Sequence, residues 1–271
     1  MAISIYGGSL GWRYSFLIAG IIGVLGVFVV MFFVPESKYW LAYHKKVENS
    51  PEMKKKEKLP LIDIFTPQVR KWTLIVLLIG SANLFIYFAY SSYMPTLLAV
   101  VYRMTPAKYT LLLVVGQSIA VPFYTINGFL ADKFGRKITA ISYGLVYIIA
   151  VVLFFVVILE KIPYVALLAF PLFYAYTIVS LAQGISGEYG VWWSEHFPTR
   201  MRSTATGFGY MVGGGLAGPM ATLLIPLLYD NLGGIKMVGI AISIAMMVGV
   251  VIQFGGLFGL KETKVTEVKI D

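Results

Sequence analysis

The chain has 271 residues, 58% of them hydrophobic and only 13% charged, with a mean hydropathy of +0.79. A water-soluble domain carries about 25% charged residues, so this composition excludes a soluble globular protein in favour of a membrane one. The net charge of +9 does not argue for nucleic acid, because the bases stand between apolar runs, where headgroups or cytoplasm would meet them. No cysteine is present, which removes disulfides and thiolate metal sites, and His44 and His196, far apart in sequence, make a weak case for a metal centre.

The opening stretch MAISIYGGSLGWRYSFLIAG has no basic region ahead of its apolar run, and that run is long enough to span a bilayer. It reads as a membrane helix over about 14–34 rather than a cleaved signal. Residues 35–72 follow as the one clear boundary. Their KKVENSPEMKKKEKLP core, lysine-rich and punctuated by Pro51 and Pro60, reads as a solvated linker held near anionic lipid. The alternative is a short cytoplasmic helical element docked under the bundle.

Six more apolar windows come next, at about 73–100, 108–131, 138–159, 164–193, 204–228 and 235–259. A membrane leaves exposed backbone no partner, so spans are helices or barrel strands. Windows of this length are helices, since a barrel strand needs only about 9–11 residues. The expected fold is therefore an all-α integral membrane protein with seven transmembrane helices. The loops alternate sides, and 17 of the 22 Lys and Arg fall in 35–72, 132–137, 194–203 and the tail from 260. The positive-inside rule places those segments in the cytoplasm, with the N-terminus outside and the C-terminus inside.

The stretch GFLADKFGRK (128–137) joins two of these windows. Gly128 is expected to end a helix where a side chain would block a neighbouring helix. Asp132 is expected to cap the turn and pair with a base. Gly135 is suited to positive φ, and Arg136 and Lys137 to headgroups and to carbonyls at a helix end. On these grounds alone the loop is a tight basic connection obeying the positive-inside rule. The pattern is more specific than that. It resembles the cytoplasmic signature loop of the major facilitator superfamily, G-x-x-x-D-[RK]-x-G-R-[RK], with Gly128, Asp132, Lys133, Gly135, Arg136 and Lys137 at its six defined positions.

Three further elements resemble the sugar and metabolite (organic acid) symporter branch. VPESKYWLAY resembles the P-E-S-P-R-W-L element after the family's sixth helix, through Pro35, Glu36, Ser37, Trp40 and Leu41, with Lys38 and Tyr39 replacing Pro-Arg. SEHFPTRMRS resembles the E-x-F-P-T-x-x-R element between the tenth and eleventh helices, through Glu195, Phe197, Pro198, Thr199, Arg200 and Arg202. KETK (261–264) resembles the P-E-T-K tail after the twelfth. The order implies helix 6 in residues 1–34, a basic cytoplasmic linker in 35–72, the C-terminal six-helix half in 73–260 and a cytoplasmic tail in 261–271. Helices 1 to 5 are not matched, so the chain is expected to be truncated.

The resemblance also implies alternating access, in which two halves rock about a midplane site. Glu36, Asp132, Lys133, Arg136, Lys137, Glu195, Arg200 and Arg202 are then expected to form a cytoplasmic gate, joined by Glu262 from the tail. Gly135 and Gly128 are candidate conformational positions. So are Gly213, Gly214 and Pro219 in GFGYMVGGGLAGP, a stretch suited to close packing and bending.

Polar residues inside spans should look inward. Asn83, Tyr87 and Tyr90 share one helix face. With Gln117, Asn127, Tyr174, Thr177 and Gln183 they form the candidate substrate cavity; the plainer reading is interhelical hydrogen bonding and an interfacial tyrosine belt. Glu188 lies within a predicted span. It reads as a salt-bridge partner of Arg200 or Arg202, or as a gating or proton-coupling acid. No P-loop, paired carboxylates or H-E-x-x-H motif stands in the spans, so no enzyme, cofactor or metal is expected. The expected function is secondary transport of a small polar solute, a sugar or organic acid, coupled to a proton or another ion, in the cell membrane. Its expected partners are the solute, the ion, lipid and a polypeptide supplying the missing helices, and no nucleic acid. The alternative is an inactive or regulatory truncated membrane protein.

Overall fold

The computed structural model describes residues 11–36, residues 38, 41, 42, 45, 48 and 49, and residues 60–263. Ser37, Trp40, His44 and Lys264 lie outside the described residues, as does the lysine-rich 50–59. Nine α-helices have both ends among the described residues: α1 Gly11–Phe33, α2 Pro60–Asp63, α3 Arg70–Thr96, α4 Pro106–Phe134, α5 Arg136–Glu160, α6 Pro171–Ala182, α7 Ser186–Ser194, α8 Arg202–Leu232 and α9 Val238–Gly259. Among the described residues there is no strand. Six helices are long and apolar enough to cross a membrane: α1, α3, α4, α5, α8 and α9, the last two extended by a turn at their start.

The fifth expected span, 164–193, is not one helix. Pro171 stands in the first turn of α6, where its missing N–H costs nothing, so the helix starts later than hydropathy alone indicates. A tighter 3₁₀ turn, Gln183–Ile185, then links α6 to α7. This is where α4 comes closest. A Cβ on Gly187 would lie 2.3 Å from the Tyr124 carbonyl oxygen.

Packing follows from where small residues fall. α3 occupies the centre, with α8 and α9 against it, while α6 packs between α4 and α5. The approach of α3 to α8 depends on glycine at both sides. A Cβ on Gly80 would stand 2.5 Å from the Gly209 oxygen, and one on Gly213 would stand 2.9 Å from the Ser81 nitrogen. One apolar core gathers Tyr90, Met94, Phe154, Phe173 and Met246. A second lies at the end where the loops converge and holds Ile64, Val76, Trp192, Trp193 and Phe197. Outward faces are apolar, as at Ile149 of α5, Leu223 of α8 and Val251 of α9, which suits lipid. α1 is exposed from Arg13 to Phe33. A helix apolar all round belongs inside a membrane.

Candidate functional site

The loop end of the bundle holds a connected charge network. Gly135 alone separates α4 from α5, and its φ of +108° makes the reversal in one residue. That leaves the first N–H groups of α5 facing outward. The tail returns to meet them. Glu262 Oε1 accepts from Arg136 N at 2.7 Å, and Oε2 accepts from Lys137 N at 3.1 Å. In return, Lys137 Nζ donates to the carbonyls of Phe258 (3.2 Å) and Leu260 (2.8 Å), at the end of α9. Each helix end thus receives the charge its dipole favours.

Arg136 is buried, with 5% of its side chain exposed. Its guanidinium contacts Asp132 Oδ1 at 2.5 Å, one turn back on α4, and Glu195 Oε1 at 3.4 Å. The other Glu195 oxygen accepts a short hydrogen bond from the Thr263 hydroxyl. Asp132 therefore sits inside α4 as an i,i+4 partner. The cap of the turn comes from Glu262, 126 residues further along the chain.

His196 belongs to the same end. The Lys261 N–H donates to its Nε2 at 3.2 Å, and its Nδ1 lies 2.9 Å from the Trp192 carbonyl. An acceptor at Nε2 requires the proton on Nδ1, so the ring is the neutral Nδ1–H tautomer. Burial lowers its pKa below the ordinary 6.5, against the opposing pull of Glu195. Trp192 Nε1 adds a 3.0 Å bond to the Lys261 carbonyl, so Lys261 is held by both its backbone groups.

The other predicted gate residues are placed differently. Arg200 pairs with Asp63 of α2, and Arg202 Nε donates to the Phe197 carbonyl at 3.0 Å. Lys133 is exposed, with its Nζ 5.3 Å from the Phe134 ring. Glu36 is exposed just beyond α1. Glu188 does not pair with Arg200 or Arg202, because both are already engaged. It is 1% exposed, and neither carboxylate oxygen has a hydrogen-bond partner among the described residues. Asn127, Arg136 and Glu262 are among the polar groups within its range, as are Tyr143 and Tyr189. Both Asn127 side-chain polar atoms and Arg136 Nε likewise lack partners among the described residues.

A second polar group lies deeper in the bundle. Tyr147 of α5 donates to Gln183 Oε1 at 2.5 Å, and Gln183 Nε2 donates to Asn83 Oδ1 of α3 at 2.9 Å. All three are buried. Tyr90 stands edge-on to Tyr87 and Tyr176, with centroids 5.7 and 5.9 Å apart. Gln117 and Ser180 flank these hydroxyls, yet Tyr90 Oη and Ser180 Oγ have no partner among the described residues. Beside this buried row, Tyr87, Gln117, Tyr124 and Tyr210 are half-buried. An unpaired buried polar group costs about 1–3 kcal/mol, so a cluster of them asks for a role.

The structure brings Asn83, Tyr87, Tyr90, Gln117 and Gln183 together, with Asn127 nearer Glu188. Thr177 is buried, but its hydroxyl bonds back to the Phe173 carbonyl of its own helix at 2.7 Å. Tyr174 does not join them. It is 47% exposed, donates to the Leu168 carbonyl at 2.8 Å, and faces an apolar groove with Leu153 and Val157. Two residues along a helix from Tyr176, it points to the opposite side. Gly128 also departs from expectation. It lies inside α4, which continues unbroken to Phe134, and a Cβ there would meet nothing within 4 Å. Nothing among the described residues requires it to be glycine. Gly213 meets α3 backbone, Gly214 would meet Leu84, and Pro219 lies within α8. Tyr147, Tyr176 and Ser180 were missed. The signal was present, since 176, 180 and 183 repeat the i, i+4, i+7 spacing of 83, 87 and 90.

The family profile described as Major Facilitator Superfamily matches residues 1–222. The chain belongs to the major facilitator superfamily. Curated relatives of this superfamily member include the inner membrane metabolite transport protein YhjE of Escherichia coli strain K12, 27% identical over 83% of this chain and 49% of the relative. They also include the cis,cis-muconate transport protein of Acinetobacter baylyi, 29% identical over 75% of this chain and 47% of the relative. The chain spans about half the length of the curated relatives it matches. No solved structure matches it.

Proposed function

We propose that this chain forms one wall of a secondary transporter that moves a small polar solute across a membrane by alternating access. The observation that carries the reading is the buried Tyr147–Gln183–Asn83 row, flanked by the half-buried Tyr87, Gln117 and Tyr124. Interior polar groups in a membrane bundle mark solute or ion paths, and hydroxyls and amides suit a sugar or the polar part of an organic acid. The names of the two relatives, a metabolite and a cis,cis-muconate transport protein, favour an organic acid first. The opposite wall would come from five further helices.

In this reading Glu188 takes up the coupling proton. Buried without a hydrogen-bond partner among the described residues, it faces the Arg136 charge. The Asp132–Arg136–Glu195 network, with Lys133, Lys137, Arg200, Arg202 and Glu36 around it, serves as the gate and biases one state over the other. The charged loops face the cytoplasm, the N-terminus lies outside, and the membrane is the cell membrane. Uptake of labelled organic acids and sugars into proteoliposomes, by this chain alone and together with a polypeptide supplying five helices, tests the proposal. Gradient-driven uptake in the second setting, lost on Glu188→Gln, supports it. Absence of uptake in both settings favours an inactive or regulatory protein.

A further inference from the structure

The segment from Pro60 to Val69 is clamped to the loop end of the bundle by one face only. Asp63 pairs with Arg200, the Thr73 hydroxyl donates to the Ile64 carbonyl, and the Phe65 ring stands edge-on to Phe208 at 5.3 Å. Asp63, Ile64 and Val69 are accordingly buried. The other face is apolar and bare. Leu61 is 55% exposed and Ile62 61%, with the Phe65 ring at their margin, 45% exposed although it meets Phe208. Such a trio at the polar end of a membrane bundle would be unfavourable in water.

In the sequence, bases stand on both sides of this face. Arg70 and Lys71 follow it, both exposed and neither in a salt bridge among the described residues. In sequence, Lys54, Lys55, Lys56 and Lys58 stand directly before it. Apolar side chains followed by two exposed cations that form no salt bridge among the described residues, close to the start of a spanning helix, match an anionic lipid surface. The aliphatic groups enter the headgroup–acyl boundary and the cations meet phosphate. We infer that residues 60–71 form a membrane-surface foot, with Leu61 and Ile62 inserted in the leaflet and the flanking bases holding anionic headgroups. Because the Asp63–Arg200 pair ties the foot to the α7–α8 connection, leaflet charge acts on the same end of the bundle that carries the Arg136 network.

The absence of cysteine makes the test clean. A nitroxide is placed on Ile62→Cys in the full chain, in bilayers of phosphatidylcholine alone or mixed with phosphatidylglycerol, and its collisions with oxygen and with a water-soluble nickel chelate are measured. Val146→Cys, on the exposed flank of α5, calibrates the lipid-facing response. In the mixed bilayer, oxygen access is expected to exceed nickel access, as at Val146→Cys. Nickel access should rise severalfold in phosphatidylcholine alone, and equally in the mixed bilayer once Arg70→Gln and Lys71→Gln are introduced. A label open to nickel in both bilayers overturns the inference. So does one shielded from both reagents, which means that protein covers the face. Equal depth in both bilayers overturns the part played by charge.

Discussion

The carboxylate of Glu262 caps the helix that Arg136 begins, accepting the Arg136 N–H at 2.7 Å and the Lys137 N–H at 3.1 Å. A terminal tail thereby closes a helix that starts 126 residues earlier, and Lys137 closes the end of α9 in exchange. Loss of a cap costs about 0.5–2 kcal/mol. Glu262→Ala is expected to lower stability by about 1 kcal/mol and to speed amide exchange at Arg136 and Lys137. Unchanged exchange at those two amides would contradict the capping role.

Arg136 carries a larger share. Its side chain is 5% exposed and that of Glu195 7%. Removing one partner of a buried pair typically costs about 3–5 kcal/mol, because the other charge is left uncompensated. Arg136→Met is therefore expected to destabilise the protein severely. Adding Glu195→Met should recover part of that loss, with a coupling of about 0.5–3 kcal/mol in a double-mutant cycle. Additive single effects would show that the 3.4 Å contact does not matter.

His196 gives the tail a pH response. Its folded-state pKa is lowered below 6.5 by burial, so its contribution to stability is fully present above that value. The contribution is lost as pH falls through the lowered folded value. Protonation at Nε2 removes the acceptor for the Lys261 N–H, with Glu195 and Lys261 the charged groups facing the ring. The protection of the Lys261 amide, relative to the intrinsic exchange rate at each pH, should fall on acidification below neutrality, and His196→Gln should flatten that dependence. A pH response that is identical in the variant would assign it to other groups.

Two glycines separate packing from function. Gly80→Ala puts a methyl group 2.5 Å from a backbone oxygen of α8 and is expected to cost about 1–3 kcal/mol by forcing α3 and α8 apart. Gly128→Ala meets open space, and helix propensity favours Ala by about 1 kcal/mol. It should leave the thermal stability of this chain unchanged or raised, and should impair uptake only where a second wall packs on α4. A destabilised Gly128→Ala chain would contradict the open environment seen here.

The spans were legible because twenty-residue apolar windows have few other readings. The break in the fifth expected span, 164–193, was not, since hydropathy does not register a helix that starts at Pro171 and tightens at Gln183. The charged loop was legible as a motif, but its geometry was not. Glu262 is remote in sequence from Arg136, and Asp132, the nearer carboxylate, looked like the cap. Glu188 seemed to have Arg200 and Arg202 within reach along its own segment. Asp63 and the Phe197 carbonyl, unseen as competitors, hold them instead. In the deeper polar group, Asn83 and Gln183 stood out as amides in oil. Tyr147 did not, because tyrosines are common at membrane interfaces for reasons unrelated to solute.

The central claim is that Gln117 and Tyr87 line a water-accessible solute path and do not merely pack between helices. Single cysteines at Gln117, at Tyr87 and at the exposed, outward Ile119 can be tested in membranes with a water-soluble maleimide, which needs an ionised thiol and hence water. Labelling at Gln117→Cys and Tyr87→Cys, slowed by the transported solute and absent at Ile119→Cys, is the expected result. Equal silence at all three positions, or labelling at Gln117→Cys that no solute in the organic-acid and sugar panel slows, would contradict it.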